Sequence, residues 1–355
     1  MDLGILNYFA DEAVLQAAVR GLPTWALLLI IVASIATLSK GADWMIDGVV
    51  SLAHRTGLPK VVIGATIVSL GTTMPEAFVS VMAAFMGNPG LALGNGVGSI
   101  IADTGLIFGL TAMIAVVPMN RYILNRTGWV QVGSATLLVI LSVSALAVSD
   151  GEPMLNRWVG VLLLFLLACY MYITYRWAKT GGSAALEGEA DEDEVSVGMK
   201  AIWVMIAGGL LLVVASARIL VPCAGECAYR FGIPDDVIAA TMVALGTSLP
   251  ELITAITAIR KGHPEITVGN IVGADVLNCL FVIGAAAAAR PLAIPENFFF
   301  FHFPTMLIIL YSFRVFIFLS SKEGRFKRWH GVWLFGVYLT YIILQYALNI
   351  GAAEG

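Results

Sequence analysis

Apolar runs long enough to cross a bilayer follow one another along the chain, separated by short polar breaks. At about 20 apolar residues per crossing, ten spans can be laid down, roughly 24–53, 61–86, 91–117, 128–149, 157–178, 200–230, 236–260, 266–289, 297–319 and 330–350. The expected fold is an all-α polytopic membrane protein. One stretch breaks the series in the middle. Residues 180–199 are Gly-rich and acidic without apolar periodicity, so they read as a flexible cytoplasmic linker between a first half, 24–179, and a second, 200–355. The glycines and carboxylates of that linker lack the spacing of a calcium loop. Residues 1–23 carry Asp2, Asp11, Glu12 and Arg20 and lack the basic-then-apolar order of a cleaved signal peptide. They read as a short external segment.

The two halves share a pattern. Gly71-Thr-Thr-Met-Pro-Glu76 recurs as Gly246-Thr-Ser-Leu-Pro-Glu251, and Asn95, Gly98 and Asp103 recur as Asn270, Gly273 and Asn278, always 175 residues apart. From Gly57 to Gly109, 20 of 53 positions are identical at that offset without a gap. A repeat this long means that one structural unit was duplicated. Five spans per unit is an odd number, so the second copy enters the membrane from the opposite side. Ten transmembrane helices as two inverted five-helix repeats follow. Such repeats place substrate near the midplane, on interrupted helices where the copies meet.

Charge fixes the expected orientation. With the amino terminus outside, thirteen basic residues fall in inner segments (Arg55, Lys60, Arg121, Arg126, Arg176, Lys179, Lys200, Arg260, Lys261, Lys322, Arg325, Lys327 and Arg328). Four fall in outer ones (Arg20, Arg157, Arg230 and Arg290). Lysine and arginine excess belongs on the cytoplasmic side, so both termini are expected outside a cell membrane. Composition agrees: 59% of residues are hydrophobic and 12% charged, against roughly 25% charged in soluble domains. No basic tract suggests a nucleic-acid partner. Four cysteines are too few for a disulfide framework. Cys223 and Cys227, four apart, read as small packing residues. His54, His263, His302 and His330 sit at span ends and form no metal cluster.

The costly residues lie inside the repeats. A carboxylate at membrane depth usually belongs to an ion or substrate pathway, and each copy has one beside a helix breaker. Pro75 and Pro250 cannot donate to the carbonyl four residues back, which frees the carbonyls of Gly71 and Gly246. The same distortion can turn the carbonyls of Ser69 and Ala244 toward a cavity. Thr72, Thr73, Thr247 and Ser248 add hydroxyl oxygens, unless these bond back to their own helix. Glu76 and Glu251 follow one turn later on the same face. Asp103 and Asn278 share a face with Ser99 and Ala274 on the next span, whose glycines let helices approach closely. Together these residues offer oxygen ligands and three carboxylates, a set suited to hard cations such as Ca²⁺ and Na⁺. They are transported ions here, and no cofactor is expected.

On these residues the chain resembles the sodium/calcium exchangers of the cation/calcium exchanger superfamily, prokaryotic type. Residues 64–109 and 239–284 look like that family's two α-repeats. The resemblance implies that Glu76 and Glu251 are central ligands shared by Ca²⁺ and Na⁺. It implies that Thr72, Ser99 and the Ser69 carbonyl serve one flanking Na⁺ site. Thr247, Ser248 and the Ala244 carbonyl serve the opposite one, and Asp103 and Asn278 line the middle. Two departures stand out. The family's prokaryotic members commonly carry an amide in the first repeat and an acid in the second, the reverse of Asp103 and Asn278. Ala274 stands where the family's pattern offers serine, so one flanking site lacks a hydroxyl.

The implied function is Ca²⁺/Na⁺ antiport by alternating access, electrogenic and not enzymatic. A proton-driven antiporter using the same carboxylates is the alternative. An aspartyl protease is disfavoured because Asp103 and Asp275 come from non-equivalent repeat positions. Asp275, whose counterpart is Ile100, either faces the cavity edge or pairs with Arg218 or Lys40. Asp43, aligned with Arg218 by the repeat, is expected in a structural salt bridge between the first and sixth spans.

Overall fold

The computed structural model describes residues 18–119, 121–148, 152–185, 198–231 and 248–347. Nearly all of them are helical. The helices are α1 (Thr24–Thr56), α2 (Lys60–Thr72), α3 (Met74–Met86), α4 (Pro89–Ile114), α5 (Arg121–Val148) and α6 (Arg157–Ala185) in the first half. The second half contributes α7 (Met199–Arg230), α8 (Leu249–Arg260), α9 (Pro264–Ala289), α10 (Phe298–Ser320) and α11 (Arg328–Ala347). A two-residue antiparallel pair, β1 (Met154–Leu155) and β2 (Leu292–Ala293), ties the loop after α5 to the loop after α9.

Seven of these helices are long and apolar enough to cross a membrane. The α2–α3 pair, bent by 41° at its break, is long and apolar enough when the two pieces are counted as one span. The ten expected spans are thus matched in part. The predicted span 236–260 is described only from Ser248 onward. The last, α11, is a 20-residue helix whose Trp, Tyr, His and Gln residues dilute its apolarity. Helix α6 runs to Ala185, through Gly181 and Gly182 and into the segment read as linker.

Burial separates a centre from a periphery. The apolar windows of α4 and α9 are 78% and 83% buried, against 28% for α1 and α7 and 22% for α6. Glycine explains how the central helices close up. A Cβ on Gly269 of α9 would lie 2.1 Å from the Val61 carbonyl of α2, and one on Gly64 would lie 2.6 Å from the Ile266 carbonyl. Backbones that near need small residues at the crossing. The long peripheral helices α1 and α7 pack along each other.

Contacts across the halves are reciprocal. Helix α6 packs on the second part of α9, and α11 packs on the second part of α4. Helix α5 touches α9 while α10 touches α4, and α5 and α10 touch each other. Lys60 meets His263 and Glu265 at one end of the bundle (3.3 and 3.5 Å), and Arg290 donates to the Phe85 carbonyl (2.9 Å) at the other. Loops that the charge pattern assigns to one side therefore meet each other.

Among the described residues the salt bridge expected between α1 and α7 is not found. Asp43 and Asp47 instead engage Lys261 after α8, at 3.8 and 2.6 Å. Lysine sits at the same end of the bundle as these carboxylates and reaches them from a flexible stem, whereas Arg218 lies deeper in α7. Cys223 and Cys227 are free and buried beside Val19 and Leu27, in the packing role expected of them.

Candidate functional site

The residue that leads into each proline-containing helix has the same backbone form in both copies. Thr73 has φ −83° and ψ −5°, and Ser248 has φ −84° and ψ 7°. This bridge region is sparsely populated and common at functional sites. In both copies proline occupies the first turn of the following helix, where its missing N–H costs least. Glu76 and Glu251 then stand in the first turns of α3 and α8, where the helix dipole favours negative charge.

Neither glutamate has a basic side chain as an ion-pair partner among the described residues. Both are 1% exposed, as are Asp103 and Asn278. The two carboxylate oxygens of Glu76, Oε2 of Glu251, Oδ1 of Asp103 and Oδ1 of Asn278 are buried with no hydrogen-bond partner among the described residues, and so are the hydroxyls of Thr73 and Ser248. Leaving an ionised carboxylate in this condition costs several kcal/mol. Glu76 lies within electrostatic reach of Glu251 and Asp103, with Arg218 the basic group acting on it. Thr72 faces Glu251, and Ser248 faces Asp103 short of full hydrogen-bond geometry.

The acid and amide that the two copies exchange meet directly. Asn278 Nδ2 donates to Asp103 Oδ2 at 3.4 Å. Residues at equivalent repeat positions that touch each other lie where the two copies face, so the reversed order leaves one acid and one amide at the same place.

Other expected ligands are engaged locally. The Ser69 carbonyl accepts from Thr73 N (2.9 Å) and from the Thr72 hydroxyl (3.3 Å), so it remains in its helix ladder rather than turned away. The Thr72 hydroxyl also approaches Asn270 Oδ1 at 3.4 Å. Ser99 is buried on α4, one turn before Asp103. Thr247 and Ala244 lie outside the described residues. Among the described residues no group of three His, Cys, Asp or Glu side chains is spaced to hold a metal ion. The arrangement is an oxygen-lined, anionic region.

Sequence reasoning missed three features here. Asn95 holds Glu76 in place by donating to its carbonyl (3.0 Å) and to Ser80 Oγ (2.9 Å); its recurrence at Asn270 was the available signal. Helices α4 and α9 widen into π-helical turns at Ala102–Phe108 and Asn278–Val282, equivalent places where an extra residue per turn re-aims Asp103 and Asn278. Asp275 pairs with neither Arg218 nor Lys40 but accepts from Thr104 and Gln131.

Comparison with known proteins places this site in a family. A model of the sodium/calcium exchanger protein family matches residues 26–176 and 201–347. The chain is 28% identical over 346 residues to the sodium/calcium exchanger MaX1 of Methanosarcina acetivorans, covering 90% of this chain and 98% of that one. It is 30% identical over 313 residues to the inner membrane protein YrbG of Escherichia coli, covering 87% and 93%. Among solved structures, the sodium-calcium exchanger NCX_Mj soaked with Na⁺ and Sr²⁺ superposes with a TM-score of 0.75 at 25% identity, over 90% of this chain and 99% of that one. Duplicated Pro-Glu motifs, buried glutamates and likeness along both halves agree: the chain belongs to the sodium/calcium exchanger family of membrane cation antiporters.

Proposed function

We propose that the protein exchanges Ca²⁺ for Na⁺ electrogenically across a cell membrane by alternating access, through ten spans arranged as two inverted repeats with both termini outside. The observation that carries this reading is the set of partnerless buried oxygens on Glu76, Glu251 and Asp103. Anionic oxygens without donors recover their desolvation cost by coordinating a hard cation. Three negative charges suit one divalent ion or several monovalent ones, and the two cannot occupy one site together. That exclusion couples the flows. Reciprocal helix contacts between the halves and the Asp103–Asn278 contact support the inverted arrangement.

Glu76 and Glu251 hold both ions in turn. Thr72 and Ser99 with the Ser69 carbonyl flank one side; Ser248, Thr247 and the Ala244 carbonyl flank the other. Because Ser69 O is now held in its helix, its use as a ligand requires α2 to loosen at the bend. Ala274, which has no side-chain oxygen, is the observation that favours a proton-driven second reading. Everted vesicles separate the two. Ca²⁺ uptake should rise with Na⁺ loading and respond to membrane potential. Uptake equal in Na⁺-loaded and Na⁺-free vesicles defeats Na⁺ coupling, and uptake driven by a pH gradient alone establishes the proton reading.

A further inference from the structure

Asp275 is a buried carboxylate that the exchange reading leaves without a task. It is 1% exposed, near the middle of α9. Its Oδ2 accepts from the Thr104 hydroxyl of α4 and from Gln131 Nε2 of α5, the latter at 2.5 Å. Three helices therefore converge on one oxygen. The other oxygens of this group are orphaned: Asp275 Oδ1 and Gln131 Oε1 are buried with no hydrogen-bond partner among the described residues. Gln131 is itself 1% exposed. No Lys, Arg or His pairs with Asp275 among the described residues, and Asp103, the residue before Thr104, lies within its electrostatic reach.

The repeat supplies a control. At the same offset of 175, Asp275, Thr104 and Gln131 correspond to Ile100, Cys279 and Met306. Those three are fully buried members of one apolar core cluster. The fold thus packs this position with hydrocarbon and sulfur in one copy, so a carboxylate, an amide and a hydroxyl in the other are not demanded by packing. A buried carboxylate with an orphaned oxygen is costly unless something positive meets it.

We propose that Asp275, Gln131 and Thr104 form a second cation site, beside the central glutamates and distinct from them, that takes a hard monovalent ion such as Na⁺. The ligands are Asp275 Oδ1, Gln131 Oε1 and the Thr104 oxygen. All are oxygens, which selects a hard cation. One formal negative charge among neutral oxygens matches a single positive charge and falls short of what a divalent ion draws from its carboxylates. Asp275 lies one turn before Asn278, so an ion here alters the field at the centre of the exchanger. The site rests on residues other than those that carry the exchange reading, and it can be tested without transport.

The test is titration of purified protein with NaCl alone, in a choline background without Ca²⁺, read by calorimetry and by Na⁺-dependent thermal stabilisation. Asp275→Asn and Gln131→Leu should each raise the Na⁺ midpoint at least about tenfold or lower the Hill coefficient by about one, as loss of a ligand does at an oxygen site. Thr104→Ser, which keeps the hydroxyl, should titrate as wild type and shows that the region tolerates change. Ca²⁺ binding measured without Na⁺ should shift by a smaller factor in all three. The proposal is overturned if Asp275→Asn and Gln131→Leu keep the wild-type Na⁺ response, or if Ca²⁺ weakens as much as Na⁺. Failure of Ca²⁺/Na⁺ exchange itself would appear in vesicle flux and leave the Na⁺-only titration readable.

Discussion

The two copies of the repeat agree at the Pro-Glu turn and differ one span later. Thr73 and Ser248 share dihedral angles and an orphaned hydroxyl, and each is followed by a proline in the first helical turn and a glutamate with an orphaned oxygen. On α4 and α9 the copies diverge, with Ser99 against Ala274, Ile100 against Asp275 and Asp103 against Asn278. The difference separates two demands. The turn must present one carboxylate from each side of the molecule, so duplication serves it unchanged. In the proposed exchanger the next span sets how many monovalent ions replace the divalent one, so a single oxygen gained or lost there should change the ion count.

That comparison predicts a hierarchy of effects. The largest belongs to the shared part: Glu76→Gln and Glu251→Gln should each cut Ca²⁺ flux by at least about a hundredfold while the protein stays monodisperse. Each removes one charge that offsets dehydration, worth several kcal/mol in a dry site, and about 1.4 kcal/mol is tenfold. Well-folded protein with near-normal flux would break the comparison at its root.

A structural effect comes next. Gly269→Ala would drive a methyl into the Val61 carbonyl, and overpacking of this kind costs about 1–3 kcal/mol. A lower unfolding temperature in detergent, with no change at an exposed position such as Val332→Ala on α11, is the expected result.

The divergent part should give smaller and paired effects. Asp103→Asn alone should weaken Ca²⁺ by about tenfold or more through the lost charge. Adding Asn278→Asp should restore most of it, because the two side chains touch and contacting residues are energetically coupled. A double variant as weak as the single one would show that the acid belongs to one copy in particular. The smallest effects concern one neutral oxygen, worth about 1 kcal/mol. Ser99→Ala should reduce Na⁺ affinity several-fold, more than Ca²⁺ affinity, and Ala274→Ser should raise it. Na⁺ titrations of Ca²⁺ displacement read both.

The repeat made much of this site legible. The offset paired Glu76 with Glu251, and Pro75 marked the bend between α2 and α3. Loop arginines and lysines sorted into ends that the helices then brought together. Less legible were interactions that no periodicity encodes. Asp43 was aligned with Arg218 by the repeat, yet Lys261 reaches it because side-chain length and loop position decide ion pairs. The Ser69 carbonyl was expected to be free; a missing proline N–H frees a specific carbonyl, and Ser69 keeps its bond from Thr73. Gln131 drew no attention, since an isolated glutamine in an apolar helix has no motif around it. Its partner Asp275 did stand out, but only the fold shows which helices meet there.

The central claim, that one anionic site serves both ions, is tested most directly by equilibrium Ca²⁺ binding to purified protein while Na⁺ is raised. The account predicts a single class of Ca²⁺ site, displaced by Na⁺ with cooperativity because several monovalent ions replace one divalent ion, and absent in Glu251→Gln. Ca²⁺ binding that Na⁺ leaves unmoved, or that survives in Glu251→Gln, would contradict it.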